Sequence, residues 1–600
     1  MALLIEKSLN NKAPAIIEAG TGTGKTLGYL VPVIMSGKKT VISTGTKNLQ
    51  EQIFFKDIPL ITQATGLKVD SLLMKGRKNY VCLHRYHQYF FRQSLLEPGR
   101  EEIRRRIERW LEKTEFADRG EIQWLADDDP LWDAISATSD QCLGSDCIHM
   151  EDCYLNKLRK RAAKSEIIIV NHHLFFADLM LKKGGFGEII PRFQVTVFDE
   201  AHKIEEIATT YFGVNLSTGQ IADLVKDVEK EKGTLSDRDK EIDNSLNAIR
   251  DGIEQLQRLF IESEDKARLN EENLSMIYNG PSEGIRKGLN YIRQRFGQLL
   301  AARASELGES LEMIFVFNDP NWLKWYEKRK RGIFFHASPL DISRSMQEHL
   351  YAKPKTIVFT SATLSTNGSF DYIGSRLGIP ENGLEGIYPS HFDFQEQAMI
   401  YIPKDLPSPN ARDFGIKIAM RVVEILKITS GRALLLFTSY FNLNIVHQQI
   451  NGKIPYTVYK QGDAPRSILL ERFKQDTHSV LLATGSFWQG VDVPGDALSC
   501  LIVDKLPFDS PGDPLVAARI ESIRARGGNP FMEYQLPSAI ISLKQGLGRL
   551  VRKNSDRGII SVMDVRIIKS RYGRFFLESL PKIPVSHDLA DLVTFFKRSH

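Results

Sequence analysis

A stretch near the start of the chain, Ala19 to Thr26 (AGTGTGKT), has the residue types and spacing to bind a nucleoside triphosphate. Gly20, Gly22 and Gly24, with Thr23 between them, let the backbone curl until consecutive N–H groups point inward at phosphate oxygens. Lys25 is long enough to reach the terminal phosphates, and the Thr26 hydroxyl can hold Mg²⁺. The strict pattern has Gly where Ala19 stands. Much further on, Gln194 to Phe198 is an apolar run that ends in Asp199-Glu200-Ala201-His202. Carboxylates at the end of such a strand, downstream of a phosphate loop, form the other half of an ATP site. Asp199 would hold Mg²⁺ through its water shell, and Glu200 would orient and activate the attacking water. Near the end lies QGLGRLVR, Gln545 to Arg552. Arg549 and Arg552 are three apart, so a helix would put both on one face. Poised over the γ-phosphate across a cleft they would be arginine fingers; in isolation they would read as a surface basic pair.

A second chemistry is carried by cysteine. Of five cysteines, Cys82, Cys142, Cys147 and Cys153 follow the spacing C-x59-C-x4-C-x5-C. Zinc ribbons and fingers bring paired C-x2-C knuckles, which are absent from this sequence. Three closely spaced thiolates and a distant fourth favour an iron–sulfur cluster over zinc. The polar neighbours Asp140, Gln141, Ser145, Asp146 and His149 argue against a plain buried core. Cys500 sits in an apolar run, Leu498 to Val503, and reads as an inert core cysteine. His172 and His173 are adjacent, so they point to different faces and read as structural.

The elements that must position these residues follow from hydrophobic pattern. Ala15 to Ile17, with Glu18, reads as a buried strand. Leu27, Tyr29, Leu30, Val33 and Ile34 mark the apolar face of the helix after the phosphate loop. Strand, glycine loop and helix are the context a phosphate loop needs, and the helix adds its positive N-terminal end. Thr40 to Ser43 is a further strand; Thr44-Gly45-Thr46 after it offers either N–H groups to a phosphate or an ordinary helix cap. Strands are also expected at Ile167 to Val170, Thr356 to Phe359, Ala433 to Phe437, Val480 to Ala483, Leu498 to Val503 and Gly558 to Val562.

From about 210 to 330, strand-like runs vanish and charge rises. Leu246, Ile249, Ile253, Leu256 and Phe260 keep helical spacing, as do Ile285, Leu289, Ile292, Phe296 and Leu299, and a long helical hairpin is expected there. Pro380 to Asn410 reads as a turn-rich separator before a second α/β unit. A basic helix runs through Lys157, Arg159, Lys160, Arg161 and Lys164, usually a solvated face, here a plausible nucleic-acid contact. Phe487 and Trp488 would either stack on bases or pack internally.

A length of 600 residues suggests several domain-sized units. The net charge of +5 is too small to establish a polyanionic partner by itself. No apolar run approaches a membrane span and no signal peptide is visible, so the expected address is the cytoplasm.

The ordered set AGTGTGKT, TGTKNLQEQ, DEAH, TSATL, LLFTSY, ATGSFWQGVDVPG and QGLGRLVR resembles a superfamily 2 helicase. The four-cysteine insert between the phosphate loop and DEAH narrows the resemblance to XPD-like iron–sulfur helicases. KGRKNYVC, CLGSDC with Cys153, VNHHLF and RYGRFFLESLP are similar to the bacterial DinG/YoaA group. The resemblance implies an α/β fold of two RecA-like parallel-sheet domains with an inserted Fe–S domain and an inserted helical arch. It divides the chain into a first RecA-like domain (1–79, 157–209 and 331–402), an Fe–S domain (80–156), an arch (210–330) and a second RecA-like domain (403–600). It implies a 4Fe–4S cluster on Cys82, Cys142, Cys147 and Cys153, and Mg-ATP contacts that add Asp492 and Gln545. It further implies 5′→3′ translocation on single-stranded and forked DNA by a cytoplasmic, nucleoid-associated monomer serving DNA repair. The family also carries an adenine-reading Gln upstream of the phosphate loop; this chain starts too close to the loop to show it. Some DinG proteins bear an N-terminal exonuclease domain, for which no room is expected here. Two other readings stand beside this one: a DEAH-type RNA helicase, disfavoured by the cysteine insert and by QGLGRLVR, and a nucleic-acid-binding scaffold with a dead ATP site, disfavoured by Lys25, Glu200 and Arg549.

Overall fold

The computed structural model describes all residues except 92–99, 127–128, 139–140, 185–187, 233–239, 353–354, 488–496 and 598–600. Two seven-stranded parallel sheets carry the chain. Their central strands are buried on both faces, which is why those read as unbroken apolar runs. The first sheet has the order Leu384–Tyr388, Ala15–Ala19, Thr356–Ser361, Val195–Asp199, Thr40–Thr44, Ile167–Asn171, Ser71–Leu73. Ala15–Ala19 pairs with Thr356–Ser361, which pairs with Val195–Asp199. The register sets Thr360 beside Asp199, so the phosphate loop, TSATL and DEAH all leave the same edge of the sheet. In parallel α/β sheets that carboxyl edge is where ligands bind.

The second sheet has the order Val458–Lys460, Val480–Ala483, Ala433–Leu436, Cys500–Val503, Gly558–Val562, Ala398–Tyr401, Val585–Ser586. Both units are RecA-like α/β layers. Cys500 is fully buried in the second core, and burial pushes its thiol up to about 12.

Three expectations are corrected. The segment 380–410 is not a strandless separator: Leu384–Tyr388 closes the edge of the first sheet and Ala398–Tyr401 belongs to the second. The second sheet therefore starts before the expected boundary at 403. The 210–330 region does not lose its strands. Val214–Ser217, Gly332–Pro339, Trp322–Arg329 and Lys266–Arg268 form an antiparallel four-stranded sheet, and the Trp322–Pro339 hairpin runs past the expected end of the arch. In Trp322–Arg329, Trp322 and Tyr326 face the arch core while Leu323 and Trp325 pack on the other side, and the charges at Lys324, Glu327, Lys328 and Arg329 make the run easily taken for a polar surface. The expected helical hairpin is also larger than two helices. Lys240–Leu259, Pro281–Arg295 and Gln298–Phe315 pack over this sheet through Leu246, Ile249, Ile285, Leu289 and Leu311. A Cβ at Gly252 would lie 2.6 Å from the Pro281 carbonyl oxygen, so only glycine permits that helix crossing.

Between the strands at 71–73 and 167–171 the chain leaves the first sheet for the cysteine-bearing insert. Val81, Tyr86, Phe90, Ile107, Ile122, Trp132, Ile135 and Tyr154 give it a small apolar core of its own. Among the described residues no helix is long and apolar enough to cross a membrane.

Candidate active site

Strand Ala15–Ala19 delivers the chain into a loop in which Gly22 and Gly24 take φ of +80° and +74°. These left-handed angles let the loop curl, and Gly24 caps the helix Lys25–Met35. Thr23 Oγ1 donates to the Gly20 carbonyl at 2.8 Å, closing the turn. Lys25 Nζ lies 2.7 Å from Asp199 Oδ1 and 2.7 Å from Glu200 Oε1. Burial works against the ammonium, but the two carboxylates outweigh it and hold Lys25 above its ordinary range. Thr26 stands in the first turn of the helix, against the Tyr29 hydroxyl.

Asp199 is fully buried, and the Tyr29 hydroxyl donates to its Oδ2 at 3.0 Å. Burial pushes its carboxyl up against the pull of Lys25. Glu200 is different. Burial alone would raise it, but Lys25 and His202 hold it down to about 2. Its backbone is left-handed, φ 61° and ψ 47°, an uncommon geometry for glutamate. That turn lifts the side chain off the strand end into the cleft, a local strain of the kind found at functional sites. Ser361 of TSATL donates to Glu200 Oε2 at 3.2 Å, and His202 Nδ1 lies 2.9 Å from Ser361 Oγ. Burial lowers His202 to about 4, so it is neutral at pH 7.

Thr46 of the TGT segment caps its helix, its hydroxyl accepting the Leu49 N–H at 3.3 Å. His172 is fully buried against Ser43 Oγ at 2.7 Å, and burial lowers it to about 3. Phe487 packs in the second core and is 1 % exposed; Trp488 lies outside the described residues.

The second unit meets the loop from across the cleft. Lys544 Nζ lies 2.8 Å from Glu18 Oε1. A Cβ at Gly548 would sit 3.4 Å from the Thr21 methyl. Arg549 is close enough to DEAH that its charge disfavours the protonated forms of His202 and Lys203. Gln545 and His202 line one cavity of about 580 Å³ with Glu205 and Arg519. The geometry of the arginines differs from expectation. The helix Leu536–Leu547 stops at Gly548, so Arg549 stands in a turn and Arg552 beyond it, not on one helical face. Gly546 and Gly548 are poor helix formers and weaken its last turn. The Arg552 and Lys553 N–H groups donate to Asp556 Oδ2 at 2.9 and 3.0 Å. Asp492 lies outside the described residues.

Sequence reasoning missed the roles of Glu18, Lys544, Tyr29, Ser361 and His202 around this cleft. Glu18 and Lys544 were visible as lone charges in otherwise apolar stretches.

In the insert, Cys82, Cys142, Cys147 and Cys153 line one cavity of about 70 Å³, together with Arg77, Arg159, His84 and His149. Among the described residues no three His, Cys, Asp or Glu side chains are placed to hold a single metal ion. The basic helix Tyr154–Lys164 divides its charges. Arg159 turns to the cysteines and Arg161 pairs with Asp70, leaving Lys157, Lys160 and Lys164 exposed.

Residues 2–88 match the DEAD/DEAH box helicase family, and residues 422–583 match the helicase C-terminal domain. The ATP-dependent DNA helicase YoaA of Haemophilus influenzae is 36% identical over 100% of this chain and 95% of its own length. YoaA of Escherichia coli is 36% identical over 99% of this chain and 95% of its own. A protein named 3′-5′ exonuclease DinG, from Bacillus subtilis, is 28% identical over 96% of this chain and 69% of its own. Among solved structures, an XPD helicase superposes with a TM-score of 0.61 at 16% identity, covering 98% of both chains.

Proposed function

The chain belongs to the YoaA/DinG family of ATP-dependent DNA helicases, and from that premise we propose that it moves 5′→3′ along single-stranded DNA and opens forked duplexes. The observation that carries the ATP half of this reading is the placing of Lys25 within 2.7 Å of both Asp199 and Glu200, with Arg549 near enough for its charge to act on His202 and Lys203 of the same segment. Mg-ATP would take over the Lys25 ammonium, which now pairs with both carboxylates. Lys25 and Thr26 would then hold the phosphates and Mg²⁺, with Asp199 supplying a further carboxylate to the ion. Glu200 would accept the proton of the attacking water, with Ser361 fixing its second oxygen. Arg549 meets the charge that develops on the γ-phosphate; Arg552, Gln545 and Asp492 complete the second unit's side. Closure and release of the cleft would step the two units along the strand, and DNA repair is the setting proposed for that activity.

The cavity ringed by four cysteines suits a group bound through thiolates, and Arg77 and Arg159 beside it would offset the negative charge such a group carries. Cys82, Cys142, Cys147 and Cys153 would hold a 4Fe–4S cluster. When bound, that cluster joins the two ends of the insert and can exchange an electron.

An ATPase and unwinding assay on 5′-tailed and 3′-tailed DNA and RNA duplexes tests this reading. Unwinding of 5′-tailed DNA alone is expected. Preference for RNA, or for 3′ tails, would overturn it.

A further inference from the structure

Glu18 is the lone charge in strand Ala15–Ala19, and it is 8% exposed. Its Oε2 accepts the N–H groups of Leu364 and Ser365, each at 2.6 Å, from the TSATL segment and the residue after it. Lys544, 9% exposed, reaches it from the second unit. The ammonium lies 2.8 and 3.0 Å from the two Glu18 oxygens and 2.9 Å from the Ser365 carbonyl. Every member of the cluster is thus satisfied.

A buried ion pair is a poor source of stability, because desolvation offsets the Coulomb attraction; its better-attested use is to fix register. The register here is that of the catalytic cleft. Glu18 comes just before Gly20, at the root of the phosphate loop. Lys544 precedes Gln545 in the last turn of its helix, and Gly548 packs on Thr21 immediately beyond it. Arg549 follows in the turn. An anchor one helical turn upstream therefore sets how closely Arg549 approaches the loop, and the same carboxylate holds the segment next to Ser361. We infer that Glu18 and Lys544 form a positioning pair that aligns Arg549 with the phosphate loop and ties that alignment to the TSATL segment. The pair touches no reacting atom. This inference rests on the reading of Arg549 as the group that meets the γ-phosphate.

The test uses the full chain with Glu18→Gln, Lys544→Met and the double variant, and with Arg549→Ala alongside. Lys544→Met and Glu18→Gln should each lower kcat by about ten-fold, with KM for ATP within about two-fold of the parent, since alignment matters mainly in the transition state. ADP with aluminium fluoride should bind more weakly while ADP alone binds as before. The double variant should be no slower than the slower single, because the two act as one unit. A purely structural pair would change Tm and leave the kcat–KM split and the analogue binding unmoved, and that result would overturn the inference. If Glu18→Gln fails to fold, Lys544→Met decides alone. Slow Arg549→Ala with full-speed Lys544→Met removes the positioning pair; full-speed Arg549→Ala removes the ATP-site reading itself.

Discussion

Arg519 of the second unit places Nη1 2.9 Å from Oε1 of Glu205, which stands in the first turn of the helix just after DEAH. Arg376 of the first unit binds the same carboxylate, and Arg519 also donates to Thr209 Oγ1 at 3.2 Å. Both Glu205 and Arg519 are buried. One carboxylate between two arginines thus joins the two parallel-sheet units directly behind the proposed catalytic glutamate.

Glu205→Gln should therefore destabilise the protein in a pH-dependent way. Burial alone would raise this carboxyl, but Arg519 and Arg376 hold it from its ordinary 4.5 down to about 2. A folded value below the unfolded one contributes stability that is complete above about pH 4.5 and fades as pH falls towards 2. The shift corresponds to about 3 kcal/mol. Thermal unfolding of parent and variant should differ most at pH 6 to 7, and the gap should close by pH 2. A gap that stays constant with pH would show that Glu205 is not the source.

Lys25→Ala should abolish hydrolysis, with a loss of about a hundred-fold or more, because a charge-assisted contact to the phosphates is gone. Glu200→Gln should still bind ATP and turn over about a hundred-fold more slowly, since an amide cannot accept the proton of water. Fluorescent-nucleotide binding beside a phosphate-release assay separates the two. Normal turnover by either variant removes that residue from the account.

Arg549→Ala should lower kcat more than it raises KM for ATP, as expected of a group that acts in the transition state. Steady-state kinetics at saturating DNA reads the split. A rise in KM alone would make Arg549 a ground-state contact.

How much of this was legible in the sequence depended on burial and on length. Strands covered on both faces, such as Ile167–Asn171 and Ala433–Leu436, announced themselves as apolar runs. Leu384–Tyr388 did not, because at the sheet edge it is only half buried, and Pro380, Gly383 and Pro389 around it suggested a turn. The Trp322–Arg329 strand hid behind the charges at Lys324, Glu327, Lys328 and Arg329. Lys25, Asp199 and Glu200 were readable because glycine spacing and strand ends constrain them locally. The Glu18–Lys544 and Glu205–Arg519 pairs were not, because each joins residues hundreds of positions apart, and only the docking of the two sheets brings them together.

The last prediction concerns the cysteines. The segment from Cys82 to Cys153 has an apolar core of its own around Ile107, Trp132 and Ile135. The cysteines lie outside that core, ringing a cavity with Arg77 and Arg159. Replacing any one of them with Ser should therefore loosen the cage and not melt the insert. Limited proteolysis should open sites near 141–153, while helix content by circular dichroism stays close to that of the parent. The visible absorbance expected of a bound cluster in the parent should fall in the variant, because a hydroxyl is a far weaker iron ligand than a thiolate. Hydrolysis without DNA should survive, since Lys25, Asp199 and Glu200 lie in the first sheet's own loops. Unwinding should fall furthest, because Lys157, Lys160 and Lys164 stand on the helix that Cys153 caps, and their placement beside an entering strand depends on that end being held. Iron and sulfide analysis of anaerobically purified protein decides the cofactor. About four of each per chain is expected; one zinc and no iron would sink the cluster, and a Ser variant that unwinds at the parent's rate would sink its mechanical role.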